Sequence, residues 1–390
     1  MKYDLKNGKY AQFYKDATML RTYLNDHALL NTNYRFWTSQ FSISTDIVPT
    51  DKKGVAAFTS QVKVKGMTPM ADMRAPLAHG KALDKAGISF YTGTIPDFIS
   101  PATYENAFER AYDDATFDAY GRDKELVKEW TENVQGQIDS LNQTLSNMSA
   151  QLLSTGVINY KYGRGIKNYV QEVPIPKENI VKGGTETWTS SSCKLLDQMA
   201  KIENDFRMRT GFEGAMKWQI PLKMFREVFL TNAQVIEWVK YSKEIAGIVM
   251  PEIKTVLEED VMAALAKYNR ISPIEVVTEK QKDWSGEVSG WKEGIAVLRP
   301  SGFAGEVKRA DILDRKMHEA YGAKSVTKVF SPVGESGIFT LCNITRDNGD
   351  YKEWATEIYF SGVPVLTEFP YHVIVDTAQA GDGVATITID

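Results

Sequence analysis

The chain has 390 residues, 43% of them hydrophobic, which is the length of two or three ordinary domains with substantial cores. Lysine and arginine total 46 against 50 aspartate and glutamate, and the formal net charge of -4 supplies no basic field for gripping a phosphate backbone. Cys193 and Cys342 lie far apart without CxxC spacing, so neither a disulfide framework nor a zinc cluster is indicated, and a reducing cytoplasm suits the chain. No run of about 18 apolar residues and no apolar N-terminal h-region occurs, which removes support for membrane spanning and secretion.

Residues 1–45 are rich in aromatics (Tyr10, Phe13, Tyr14, Tyr23, Tyr34, Phe36, Trp37, Phe41) but too short to bury them among themselves. They read as an extended arm that packs on something else. From Val55 to Pro101 come an alternating strand (Gln61, Val62, Lys63, Val64, Lys65), the methionines Met67, Met70 and Met73, and then PLAHGKALDKAG with few core candidates. This predicts a long two-stranded excursion. A hairpin with little apolar face is marginal alone, so it should find its contacts outside its own domain, the bland alternative being a loop folded back on its own body.

A helical pattern over 103–120 places Tyr104, Phe108, Tyr112 and Ala115 on one face. After Gly121 the stretch 121–154 runs without a proline and predicts one helix about 50 Å long at ~1.5 Å per residue. Leu126, Trp130, Val134, Ile138, Leu141, Leu145, Met148 and Leu152 recur at steps of three or four and form one buried stripe, too brief for a coiled-coil seam. Residues 137–154 carry one charge, Asp139, among Gln137, Ser140, Asn142, Gln143, Thr144, Ser146, Asn147, Ser149 and Gln151. Such uncharged amides and hydroxyls suit a face that meets a neighbouring protein, or one that is merely wet.

Past Gly156, VINYKYG and NYVQEVPIP read as strands, and residues 194–207 as a helix. MKWQIP (strand), MFREVFLTNAQVIEWVKY (helix), IKTVLEEDVMAALAKYN (helix) and IEVVTEK (strand) then alternate as an α/β layer does. The remainder is β-rich: GWKEGIAVLRP, then FTLCNITRD and DYKEWATEIYF around Asn348-Gly349, a strong hairpin signal, then VPVLTEF, YHVIVDT and VATITID.

The residue types that carry chemistry do not converge. His27, His79, His318 and His372 have no ligand or catalytic partner at a helical or strand spacing, and His318-Glu319 lacks the second histidine of a zinc-protease helix because Gly322 stands there. Gly163-Arg164-Gly165 and Gly334-Glu335-Ser336-Gly337 read as turns, Asp347, Asp350 and Glu353 as the surroundings of the Asn-Gly hairpin, and Glu258-Glu259-Asp260 as a solvated helix face beside Val256, Leu257, Val261 and Leu265. No catalytic residue, metal ligand or cofactor site is nominated, although catalytic residues scattered in sequence can still meet in a fold.

An arm, an extended excursion, a solitary long helix, an inserted α/β region and a β-rich return are the parts of an interlocking tile. In this order of segments, and in TIPDFISPATYENAFERA, GWKEGIAVLRPSGFAG and EIYFSGVPVLTEFPYHVIVDT, the chain resembles the major capsid proteins of tailed bacteriophages, of the phage lambda head-protein type. The resemblance implies a mixed α+β, Hong Kong 97-like (Johnson) fold, shared with herpesvirus floor and encapsulin proteins. The arm would be residues 1–50, the extended loop 51–102, the peripheral domain 103–190 with 306–390, the spine helix 121–154, and the axial domain 191–305. It implies a structural protein and no enzyme, forming hexamers and pentamers of an icosahedral head shell in the virion, assembled in the host cytoplasm. Its partners would be itself, a separate scaffolding protein, a portal and a decoration protein, with packaged DNA touched non-specifically and no membrane. A mildly acidic chain suits a shell that a motor fills with DNA. Assembly contacts are expected at Lys63, Lys65, Met67, Met70, Met73, Lys81 and Lys85 of the excursion and at Gln143 of the spine. Some relatives of this fold weld lysine to asparagine, but no activating glutamate is identifiable for Lys63, Lys65, Lys81 or Lys85 toward Asn343 or Asn348, so uncrosslinked subunits are expected. Two other readings stay open: an encapsulin-like compartment, which has the same tile and holds cargo, and a soluble oligomeric α/β enzyme, which predicts small discrete oligomers and a polar pocket within 191–305.

Overall fold

The structure, a computed structural model, describes residues 36–51, 55–64, 87–103, 119–160, 168–190, 192–245, 256–278, 281–282, 287–288, 290–322, 326–333, 338–347 and 352–387. The expected arm up to Tyr34, most of the helix expected over 103–120, the methionine cluster and the Asn348-Gly349 turn lie outside these residues.

A short helix α1 (Phe36–Gln40) runs directly into β1 (Phe41–Val48). The excursion is a hairpin of β2 (Ala56–Val64) and β3 (Gly87–Ile95), antiparallel from Ala56 opposite Ile95 to Val64 opposite Gly87. Its base is not the apolar-poor ribbon that the sequence suggests. Alternation of β2 and β3 turns Ala56, Phe58, Tyr91 and Ile95 inward, where they join the main core. Phe58 meets Tyr91 edge-to-face at 6.0 Å, Tyr91 meets Phe369 at 5.4 Å, and the Tyr91 hydroxyl donates to the Leu366 carbonyl at 3.1 Å. The base of the excursion therefore belongs to the body of this chain.

β4 (Asp97–Thr103) precedes the long helix α2 (Ala119–Thr155), 37 residues and about 55 Å of rod. The helix ends where Gly156 takes φ 74 and donates its amide to the Leu152 carbonyl at 3.0 Å, a left-handed C-terminal cap that favours glycine. The predicted stripe is buried from Val134 onward: Val134, Ile138, Leu141, Leu145, Met148 and Leu152 are all in the main core, while the side chains of Leu126 and Trp130 lie outside the described residues. The neutral face is a correction. Gln137, Asn142, Ser146 and Ser149 are buried against the chain's own elements rather than presented to a neighbour. The Gln137 amide donates to the carbonyls of Ser100 and Thr356, both at 2.9 Å, and Asn142 Oδ1 accepts from the Trp37 indole at 3.0 Å. A helix buried on two sides has no place for charge.

After α2 come the paired β5 (Val157–Tyr160) and β6 (Tyr169–Glu172), β7 (Ile180–Lys182), α3 (Leu195–Thr210) and β8 (Met216–Pro221). The single helix expected next is broken. A turn at Leu222–Met224 enters a π-helical stretch Phe225–Phe229, and α4 (Ala233–Ile245) starts afresh because Asn232 Oδ1 accepts from the amides of Gln234 and Val235. α5 (Glu258–Leu265) is shorter than its sequence pattern, and Leu257 is exposed while Val256, Val261 and Leu265 are buried. The chain continues through β9 (Ile274–Val277), the two-residue strands β10 (Gln281–Lys282) and β11 (Glu287–Val288), β12 (Ile295–Pro300), β13 (Gly305–Ala310), α6 (Leu313–Tyr321), β14 (Val326–Val333), β15 (Phe339–Asp347), β16 (Lys352–Leu366) and β17 (Val373–Asp376). The terminal VATITID forms only an isolated bridge, Val384 to Val181, among the described residues.

Two sheets organise these strands. The first has the order β1-β13-β16-β15-β14, and its backbone is the 15-residue β16. β15 follows the first half of β16 as the expected hairpin, while β4 and then β13 share the other edge, and β1 joins β13 in parallel. α2 covers the inner face of this sheet, where Phe98, Phe339, Leu341, Ile358 and Phe360 point. The second sheet has the order β7-β17-β12-β8-β9, so β7 and β17 come from outside 191–305 to flank the strands within it. It is covered on both faces, which explains why β12 is buried at every position and largely apolar. Ile295 and Val297 face the main core with α2, whereas Ala296 and Leu298 face a second core built from α3, α4, α5 and Trp188, Trp218 and Phe229.

Candidate assembly surfaces and the junction between the sheets

The residues expected to make assembly contacts are distributed unevenly. Lys63 sits in β2 opposite Ile88, Gln143 is half-buried on α2, and Lys65, Met67, Met70, Met73, Lys81 and Lys85 lie outside the described residues. Large apolar side chains are nevertheless exposed nearby: Phe90, which alternates outward beside the inward Tyr91, is 66% exposed, and Ile99 on β4 is 50% exposed. At the far side of the second core, Tyr241, Ile245 and Leu257 are exposed where α4 and α5 meet, a meeting fixed by the Lys243–Asp260 ion pair at 2.5 Å.

The second core leaves an open groove of about 660 Å³ along α3, bordered by Lys182, Glu186, Asp197, Asp205 and Arg209 over a floor of Val181 and Phe206. Lys201 pairs with Asp382 at 2.9 Å across it, and that hydrogen-bonded partner raises the lysine's pKa. The groove is rimmed by both signs of charge.

The shifted titratable groups are held by packing. Burial pulls the His372 imidazole down to about 4, with Nε2 on the Leu153 carbonyl at 2.7 Å near the end of α2. His318 accepts from the Lys328 amide and lies against the Phe330 ring, while His27 and His79 lie outside the described residues. Burial pushes the Cys193 thiol up to about 11, and Cys193 and Cys342 are both buried and outside any disulfide. Glu258 and Asp260 form ion pairs with Arg226 and Lys243. Among the described residues no three histidine, cysteine or acidic side chains are grouped to hold a metal ion.

The densest polar cluster joins the two sheets, and the sequence reading missed it. Arg299 lies next to the end of β12 and is 1% exposed, and its burial lowers the guanidinium pKa to about 10. Its Nε donates to Gln219 Oε1 of β8 at 3.0 Å, and its Nη1 donates to the carbonyls of Pro300 and Gly302, both at 3.0 Å. Its Nη2 donates to Gln40 Oε1 of α1. Gln40 and Gln219 both donate to Glu275 of β9, at 2.7 and 3.2 Å, and Lys217 pairs with the same carboxylate. Burial would raise the Glu275 pKa, but these donors overcome it and hold it low. Glu368 lies close enough to feel the Arg299 charge, yet burial dominates and raises its pKa. An arginine inside the apolar run IAVLRP is the one local signal for this cluster.

No protein-family model matches the sequence, and no curated protein matches it. Solved structures do. The chain is similar to a protein assigned as the capsid protein of an E. coli CFT073 prophage, with 14% identity and a TM-score of 0.51 over 92% of this chain and 98% of that one. A phage-related protein of Bordetella bronchiseptica RB50 has 12% identity and a TM-score of 0.48 over 92% of this chain and 96% of its own. The chain therefore has the fold of the prophage capsid protein, the mixed α+β Johnson fold that its segment order implies.

Proposed function

We propose that the chain is the major capsid protein of a tailed phage, a structural subunit that assembles with copies of itself into the hexamers and pentamers of an icosahedral head shell around packaged DNA. The observation that carries this reading is the extent of the likeness: 92% of this chain and 98% of the prophage capsid protein correspond, so that hairpin, long helix and both sheets belong to one shared tile. In this reading the peripheral part is the first sheet with α2, and the axial part is the second sheet with α3, α4 and α5, to which β7 and β17 are added. Lys63, Lys65, Met67, Met70, Met73, Lys81 and Lys85, with Gln143, make intersubunit contacts, and the outward Phe90 extends that surface. Scaffolding, portal and decoration proteins are the expected partners, DNA is touched non-specifically, and the mature location is the virion after assembly in the host cytoplasm.

Negative-stain microscopy and sedimentation of the expressed full chain test the proposal. Closed shells, tubes or ring-shaped capsomers are expected. A discrete dimer or tetramer that never assembles further, at any concentration or salt, would refute it.

A further inference from the structure

Gln40 belongs to both sheets at once. Its main chain ends α1 at the edge of the first: its carbonyl accepts from the Ala304 amide at 2.7 Å, and the next residue, Phe41, is in register with Gly305. Its side chain is part of the second. Oε1 accepts from Gln219 of β8 at 2.8 Å and from Arg299 of β12, while Nε2 donates to Glu275 of β9 at 2.7 Å and to Ser39 Oγ at 2.9 Å. Gln40 is fully buried, and all four hydrogen-bonding positions of its amide are filled.

Such a joint differs from the apolar contacts elsewhere between the sheets. Apolar surfaces can slide by a fraction of an ångström with little loss, because burial is non-directional. A buried amide that bonds three strands closes at one geometry, and any other leaves a donor or acceptor unmade away from water. The chain also crosses between the sheets covalently, from β12 to β13 and from β16 to β17, and the shorter crossing passes through Gly302, whose φ of 97 favours glycine and whose missing Cβ would touch nothing within 4 Å.

We infer that Gln40 is a positioning residue that sets the angle between the two sheets, with Gln219, Glu275 and Arg299 as its sockets. If the chain is a shell tile, as proposed above, this angle enters the curvature of every subunit, and a loose joint yields mixed assemblies rather than one shell.

The test reads the angle directly in the unassembled full chain. Spin labels at Ile99→Cys on the first sheet and Met208→Cys on α3 report the distance across the joint by pulsed electron resonance. Both sites are exposed, and the native Cys193 and Cys342 are buried out of a label's reach. One narrow distance is expected for the parent. Gln40→Leu removes every side-chain bond at residue 40 and should broaden or displace that distance. Gln40→Glu sets two carboxylates together and should do the same. Adding Glu275→Gln restores a donor facing an acceptor and should bring the narrow distance back, a rescue that loss of general stability does not predict. Should Gln40→Leu fail to fold, Gln40→Glu with and without Glu275→Gln carries the test. A parental distance in folded Gln40→Leu or Gln40→Glu, or no rescue in the double variant, overturns the inference. Shells of parental diameter from a variant with a broadened distance would overturn the link to curvature. A parent that forms no shells would count against the tile reading and leave the distance measurement standing.

Discussion

Asn142→Ala tests whether the neutral side of α2 is interior. Asn142 is 2% exposed and its Oδ1 accepts from the indole of Trp37, itself 3% exposed, at 3.0 Å. Truncation removes this hydrogen bond and leaves the indole N–H without its partner away from water, a cost of about 1–3 kcal/mol. The small void left by the carboxamide adds roughly 1 kcal/mol, so a total near 3 kcal/mol is expected. Gln143→Ala, one residue on and only half-buried, should stay within about 0.5 kcal/mol. Urea unfolding of the dilute, unassembled chain, followed by far-ultraviolet circular dichroism, gives both values. A cycle with Trp37→Phe isolates the bond itself, and a coupling of about 1 kcal/mol is expected between groups in contact. Equal small losses at 142 and 143, or additivity with Trp37→Phe, would show that this face of the helix is not held inside the chain.

Gly136 is exposed within α2 and a Cβ there would meet nothing within 4 Å, so Gly136→Ala should raise stability by about 1 kcal/mol in the same urea assay. Gly305 is the opposite case: a Cβ would sit 1.9 Å from the Val365 carbonyl oxygen, and Gly305→Ala should cost at least about 2 kcal/mol or prevent folding, read as loss of the cooperative melt. His372 predicts a pH dependence, because burial lowers its pKa from 6.5 to about 4. The unfolded chain then takes up the proton first as pH falls, so its contribution is complete above about pH 6.5 and is lost on the way to pH 4, by about 3 kcal/mol; His372→Gln should flatten this part of the urea midpoint profile. Replacing residues 65–86 with a short Gly/Ser turn should leave circular dichroism and the melt unchanged, since β2 and β3 remain paired, while sedimentation shows fewer closed particles.

What the sequence revealed follows the range of the forces involved. α2, β8, β12 and the β15–β16 hairpin were legible because each has a local period or a turn signal, and one face of each is covered, that of α2 from Val134 onward. The break between Phe229 and α4 had its signal too, in Asn232, but an N-cap inside a continuous apolar pattern is easily read through. The base of the excursion was misjudged because Tyr91, on which Phe58 packs, gains its partners Phe369 and Leu366 from more than 270 residues away in sequence. The same holds for the junction: Gln40 and Glu275 are separated by 235 positions, and nothing local marks either. A neutral amide is the side chain whose role composition reveals least, since the same residue type serves a wet face, a subunit contact and a buried strut.

What α2 touches accounts for its length. Along the first sheet it is fixed by apolar burial from Val134 to Leu152 and by Gln137, whose amide spans β4 and β16. At its end it reaches the second sheet's surroundings, where the Leu153 carbonyl meets His372 just ahead of β17 and Ser154 Oγ accepts from the Lys292 amide at 3.0 Å. A helix has its interior backbone bonds satisfied within itself, so a single rod can cross the boundary between two cores without leaving polar backbone groups stranded there, which a loop could not. Gln40 ties the same two sheets at another place through β8, β9 and β12. One tie alone would act as a pivot. Two separated ties, one largely apolar and extended and one polar and directional, resist rotation between the sheets, and that stiffness is what a tile needs if its curvature is to be copied from subunit to subunit.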